Sequence, residues 1–99
     1  MKTETETLCA VRSTKEFKKQ LKKINKQNKD ISKLEDVVIK LANKETLEEK
    51  YQNHMLNNSK YYKNCGECHI EPNWLLIYQY QNEELILLLV ATGSHSEVF

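Results

Sequence analysis

Three histidines are the residues of this chain best suited by type and spacing to do chemistry. His69 lies in Cys68-His69-Ile70-Glu71-Pro72-Asn73-Trp74, and His95 in Thr92-Gly93-Ser94-His95-Ser96-Glu97-Val98-Phe99, each at the end of an apolar, strand-like run. His54 stands in a polar stretch upstream of both. Imidazole accepts and releases protons near neutral pH better than any other side chain. A single histidine is more often a satisfied structural residue. Three in polar segments next to strands, with none in the helical part, point instead to acid–base work, and in a small lysine-rich chain to a ribonuclease. On a strand, the two-residue period would put Glu71 on the side of His69 and Ile70 on the other, with Asn73 close by.

Cys65-Gly66-Glu67-Cys68-His69 has the C-x-x-C-H spacing of covalent haem attachment. That chemistry belongs outside the cytoplasm, and the acidic start, Met1-Lys2-Thr3-Glu4-Thr5-Glu6, lacks the apolar region of an export signal. A zinc site from Cys65, Cys68 and His69 would lack a second pair of ligands. The expectation is no metal and no cofactor, with two thiols beside a functional histidine. An odd count of three cysteines argues against a disulfide framework, and Cys9 reads as a core thiol.

A chain of 99 residues, 39% hydrophobic and 29% charged, makes one globular domain over residues 1–99. Its longest apolar run, residues 85–91, falls well short of the about 20 residues that span a bilayer. No membrane partner is therefore expected, and the protein should be soluble and cytoplasmic. Net charge is only +1, yet residues 1–30 hold nine Lys/Arg against four acids, and the remainder six against ten. Lys18, Lys19, Lys22 and Lys23 crowd adjacent faces of one helix, where unbalanced like charge is mildly destabilising. They are candidate contacts to RNA phosphates, ribosomal RNA above all, with an ordinary solvated helix face as the alternative. Tyr78 reads as core, whereas Trp74 suits either core packing or stacking on an unpaired base.

An α+β domain must position these groups. Residues 8–12 read as a strand. Ser13 and Glu16 have the spacing of a capping box and open a helix whose Phe17, Leu21 and Ile24 form an apolar stripe. Residues 25–30 read as a turn, and Ser32 and Glu35 repeat the box ahead of Leu34, Val37, Val38 and Leu41. The short link predicts an antiparallel helix hairpin. Residues 44–60, with His54, should wrap the sheet edge without regular structure. Strands are predicted at residues 61–64, 67–71, 74–80 and 85–91, with a hairpin turn at 81–84. The unbroken apolar run 85–90 predicts a strand buried on both faces. Gly93 frees the backbone there, and the apolar Val98 and Phe99 predict that the tail folds back over the sheet. The order β-α-α-β-β-β gives a two-helix hairpin on a mainly antiparallel sheet of four to five strands.

The two histidine blocks, extended through Leu75-Leu76-Ile77-Tyr78 in the first, resemble the "CHI-P-DWLLIY" and "TG-HS-F" blocks of the YafQ branch of the RelE/ParE toxins. The resemblance covers residues 8–99 and implies a RelE-like fold with the element order above. It also implies a ribosome-dependent mRNA endoribonuclease, in which the ribose 2′-hydroxyl attacks the adjacent phosphate without a metal. Such a reaction needs a base, an acid and positive charge at the phosphorane. The family's histidines fall on His54, His69 and His95, which implies that these are catalytic, with His95 as general acid and His69 as general base or phosphate ligand. The family's substrate-contacting positions fall on Asn73, Trp74 and Phe99. Asn73 replaces an aspartate and cannot take a proton. Ala91 stands where many relatives carry an arginine, a residue suited to phosphate recognition. The implied partners are the ribosome with its mRNA and a cognate antitoxin, a small dimeric DNA-binding protein that supplies the only link to DNA. The ParE branch shares the fold and poisons DNA gyrase by protein contact; that alternative has no use for the histidine set.

Overall fold

The computed structural model describes residues 7–57 and 59–99. The acidic start, residues 1–6, lies outside the described residues. The elements are β1 (Ala10–Ser13), α1 (Lys15–Lys26), α2 (Ile31–Ala42), a 3-10 turn (Glu49–Tyr51), β2 (His54–Met55), β3 (Gly66–Glu71), β4 (Trp74–Gln81), β5 (Ile86–Gly93) and α3 (His95–Val98). They form a five-stranded sheet in the order β1-β5-β4-β3-β2, parallel between β1 and β5 and antiparallel elsewhere. The α+β class and the order of a strand, two helices and then strands match the sequence expectation, and the terminal helix α3 is additional to it.

Phe17 and Ile24 of α1 and Leu34, Val37, Val38 and Leu41 of α2 share one core with Cys68, Ile70, Trp74, Leu76, Tyr78, Leu87 and Leu89 of the sheet. Cys9, as expected, is buried in it. Both caps differ from the predicted capping boxes. Ser13 completes β1, and α1 is capped by Thr14, whose Oγ1 accepts from the Phe17 amide at 3.0 Å and donates to the Val90 carbonyl at 2.7 Å. The cap of α2 is Asp30, not Ser32: its Oδ1 accepts from the Ser32 amide at 3.0 Å. In each case an adjacent or nearby polar residue can cap equally well, and the chain's approach to the helix decides between them.

The predicted strand at 61–64 is a turn. The amides of Tyr61 and Tyr62 donate to Ser59 Oγ, and Asn64 has φ 60°. The edge strand lies instead at His54–Met55, inside the stretch expected to be irregular, with His54 opposite Glu67 and Met55 opposite Gly66. β5 is not buried on both faces: Leu87 and Leu89 are buried while Ile86, Leu88 and Val90 alternate with them half-exposed. A bulge between Ile77 and Tyr78 in the β4–β5 register changes this phase. Ala91 thereby packs with Leu75, Ile77, Cys65 and Val98 in a second, smaller core on the face opposite the helices. Thr92 returns to the helical side, its amide donating to Gln20 Oε1 of α1 at 2.9 Å.

Gly66 pairs with Tyr78, and a Cβ there would come within 2.5 Å of the Tyr78 ring. Tyr78 is itself buried and donates to Asn53 Oδ1 beside β2, so it has little room to yield. Gly66→Ala is expected to destabilise the protein by about 1–3 kcal/mol, the usual cost of overpacking. Urea unfolding checks this; a midpoint equal to that of the unsubstituted protein would contradict the close approach.

Candidate active site

The two-residue period of β3 sends Cys68 and Ile70 to the helical core and Glu67 and His69 to the opposite face. β2 then places His54 beside Glu67. The Glu67 carboxylate, only 9% exposed as a side chain, has Oε1 at 3.2 Å from His54 Nε2 and 3.9 Å from His69 Nε2. The second nitrogen of His54, Nδ1, lies 2.8 Å from the Gln52 carbonyl. Both nitrogens of that ring therefore face acceptors. His69 Nδ1 lies 3.4 Å from the Pro72 carbonyl. Its Nε2 lies on the side of the shared carboxylate, so this ring, too, has an acceptor at each nitrogen.

His95 begins α3. Ser94 and Glu97 form a true capping box at this helix, with the Ser94 amide donating to Glu97 Oε1 at 2.8 Å. Gly93 ends β5 with φ 148°, and a Cβ on it would meet Glu97 Oε1 at 3.0 Å, so its small size lets the glutamate fold back over the strand end. Glu97 also binds Lys23 of α1, with Oε2 2.7 Å from Nζ. Hydrogen bonding to Lys23 and to the Ser94 amide and hydroxyl holds its carboxyl down at about 2. The imidazole of His95 lies against Phe99, ring centroids 4.9 Å apart, and Phe99 meets Tyr62 edge-on at 5.4 Å. The His95 amide points to Asn73 Oδ1 at 3.5 Å.

One short turn thus joins the two halves of the site. His69 contacts it at Pro72 and His95 at Asn73. Asn73 holds the start of α3 by its backbone, not by the imidazole. Phe99 is 44% exposed beside His95, its ring open to solvent. Trp74 is not: it is fully buried, and its indole N–H donates to Thr92 Oγ1 at 3.0 Å inside the core. The choice left open by the sequence between packing and stacking falls to packing. Glu71 is also displaced from its expected side. A bulge between His69 and Glu71 turns it to the helices, where it pairs with Lys33 at 2.9 Å and Lys29 at 3.9 Å. Lys18, Lys19, Lys22 and Lys23 are exposed on α1, but Lys23 is committed to Glu97. Glu67 is the residue that sequence reasoning missed. The signal was present: Glu67 stands two residues before His69, and the strand period puts both on one face.

Cys65 packs in the smaller core and Cys68 in the larger one, on opposite faces of the sheet, so the two thiols cannot share an ion. Burial, with the nearby Glu67 charge, pushes the Cys68 thiol up to about 12. Neither is placed to react. Among the described residues no helix is long and apolar enough to cross a membrane.

The chain is 33% identical to the mRNA interferase toxin YafQ of Escherichia coli strain B over 85 residues, covering 85% of this chain and 88% of that protein. Its structure superposes on a metal-bound toxin from Helicobacter pylori with a TM-score of 0.85 at 40% identity, over 92% of this chain and 99% of that one. It superposes on YafQ in the Escherichia coli DinJ–YafQ complex with a TM-score of 0.80 at 30% identity, over 92% and 98%. The family described as the bacterial toxin of type II toxin–antitoxin systems, YafQ, matches residues 9–99. With the sheet order, the histidine-bearing strands and the terminal helix His95–Val98 in place, this chain belongs to the YafQ family of bacterial toxins.

Proposed function

We propose that the chain is a ribosome-dependent mRNA endoribonuclease, acting in the cytoplasm, that cleaves by attack of a ribose 2′-hydroxyl on the adjacent phosphate. The observation that supports it most is the turn at Pro72–Asn73, which carries the Glu67–His69 pair on one side and His95 on the other. His69, beside Glu67, takes the proton of the 2′-hydroxyl. His54, held by Glu67 and the Gln52 carbonyl, helps to position the substrate. His95 protonates the leaving 5′-oxygen, with Phe99 bracing its ring and offering an exposed face to a base. Asn73 seats α3, and no proton passes through it. Ala91 lies buried against Val98, so what an arginine would bring to the phosphate must come from elsewhere. Expression of the chain in bacteria, with mapping of mRNA 5′ ends, tests the reading; absence of new ends would remove it. The Helicobacter pylori relative is metal-bound, while the steps above use only side chains. Cleavage should persist with a transition-metal chelator that leaves magnesium on the ribosomes.

Lys18, Lys19 and Lys22 supply the contact to ribosomal RNA. Replacing all three by Gln is expected to weaken ribosome binding and to flatten its dependence on salt, by about 0.7–0.9 in the log–log slope for each phosphate no longer neutralised. An unchanged slope would make α1 a solvated face only.

The family membership and the solved complex of a relative with DinJ support a cognate antitoxin for this chain as well. It is expected to be a small dimeric DNA-binding protein that adds a strand or helix over the sheet. A short neighbouring reading frame whose product co-purifies with this chain and restores growth is the test; a product that does neither removes this part of the proposal.

A further inference from the structure

Helix α3 has four residues, too few to be stable alone, so contacts with the rest of the fold must set the direction of the His95 ring. Two of those contacts come from the face opposite the large helices and a third from the β3–β4 turn. Val98 enters the smaller core, Tyr62 donates to the Val98 carbonyl, and Asn73 reaches the His95 amide at the long distance of 3.5 Å. The fourth comes from the other side of the sheet. Glu97 reaches past the end of β5 to Lys23 of α1 at 2.7 Å, while its second oxygen closes the capping box on Ser94. A groove of about 310 Å³ lined by Glu16, Lys19, Gln20, Lys23, Thr92 and Glu97 leaves little else to brace α3 from that direction.

We propose that Glu97 is a positioning residue for His95: by tying α3 to Lys23 it fixes the imidazole, and α1 thereby sets the geometry of the acid. The kinetic consequence rests on His95 acting as a proton donor in RNA cleavage; the structural one does not. Lys23 accordingly serves α3 and not an RNA phosphate, unlike its neighbours on the same helix.

Glu97→Gln separates the two tasks of the side chain, because glutamine still accepts from Ser94 in a capping box but carries no charge for Lys23. Lys23→Gln removes the other partner and leaves the box whole. Each variant is expected to lower the single-turnover cleavage rate at saturating ribosomes about fivefold, the scale of one exposed ion pair. The double variant should lose no more than either single one, because both remove the same bond. In the free protein, the ring resonances of His95 should move and broaden alike in all three variants, while those of His69 stay in place. Additive losses in rate, or His95 resonances unmoved in Glu97→Gln, would overturn the proposal. The spectra read the tether without any catalysis. Displaced His95 signals with no cleavage by the unsubstituted chain would therefore count against the enzymatic reading and for the tether.

Discussion

His95→Ala is expected to lower single-turnover mRNA cleavage about 100- to 10,000-fold, the usual contribution of a general acid. The fold should survive the change. His95 is exposed, and α3 keeps its Ser94–Glu97 capping box, its Val98 contact and its tie to Lys23. Unfolding midpoints within experimental error of the unsubstituted chain would show that the loss is chemical. A substrate with sulfur in place of the 5′-oxygen, which leaves as a thiolate without protonation, should recover much of the rate. A cleavage rate within a few-fold of the unsubstituted chain would show that the acid is another group.

Trp74→Ala is expected to act in the opposite way, on the fold first. The indole is fully buried between the helices and the sheet, and such a truncation costs about 3–5 kcal/mol. Its N–H also serves Thr92, whose hydroxyl donates on to the Leu75 carbonyl at 2.7 Å. Thr92 in turn anchors β5 to α1 through Gln20, immediately before the segment that carries His95. The variant should therefore lose activity in proportion to the fraction unfolded, with near-normal rates per folded molecule at low temperature. Phe99→Ala, at an exposed site, should show the reverse: little change in urea midpoint and a clear loss of cleavage. If Trp74→Ala kept its stability and lost only substrate affinity, the residue would be a stacking platform after all.

The helices were legible because their apolar stripes repeat over three turns, long enough for the period to speak. Their first residues were not. Ser13 and Thr14, or Asp30 and Ser32, are equally good caps in isolation, and the bond from Thr14 to Val90, 76 positions away, decides the first case. Strand β2 had no readable period because two residues cannot show one; it forms where β3 offers an edge. The predicted strand at 61–64 failed for the complementary reason, its tyrosines parting to serve different ends. Tyr61 is 77% exposed while Tyr62 packs on Phe99. His54, His69 and His95 could be picked out by chemistry and by resemblance. Glu67 beside His69 was readable from the period of β3, but the turn of Glu71 to the helices and the place of Ala91 were not, because the bulges at His69–Glu71 and Ile77–Tyr78 reset which side chains share a face. Each bulge makes an alternation rule hold on one side of itself and fail on the other.

The parallel pairing of β1 with β5 has a consequence for when this protein becomes dangerous. Ala10 is aligned with Ile86, so the first strand waits unpaired through the synthesis of both helices and three further strands. Closing so long a loop is entropically costly and slow. Nothing downstream of that event, neither the Thr14 cap bonded to Val90 nor the Thr92–Gln20 link beside the His95 turn, can form before β5 has left the ribosome that makes it. On the proposed activity, the nascent chain therefore cannot act on the ribosome that translates it. An inhibitor that recognises the finished sheet meets its target at the moment the target first becomes able to act.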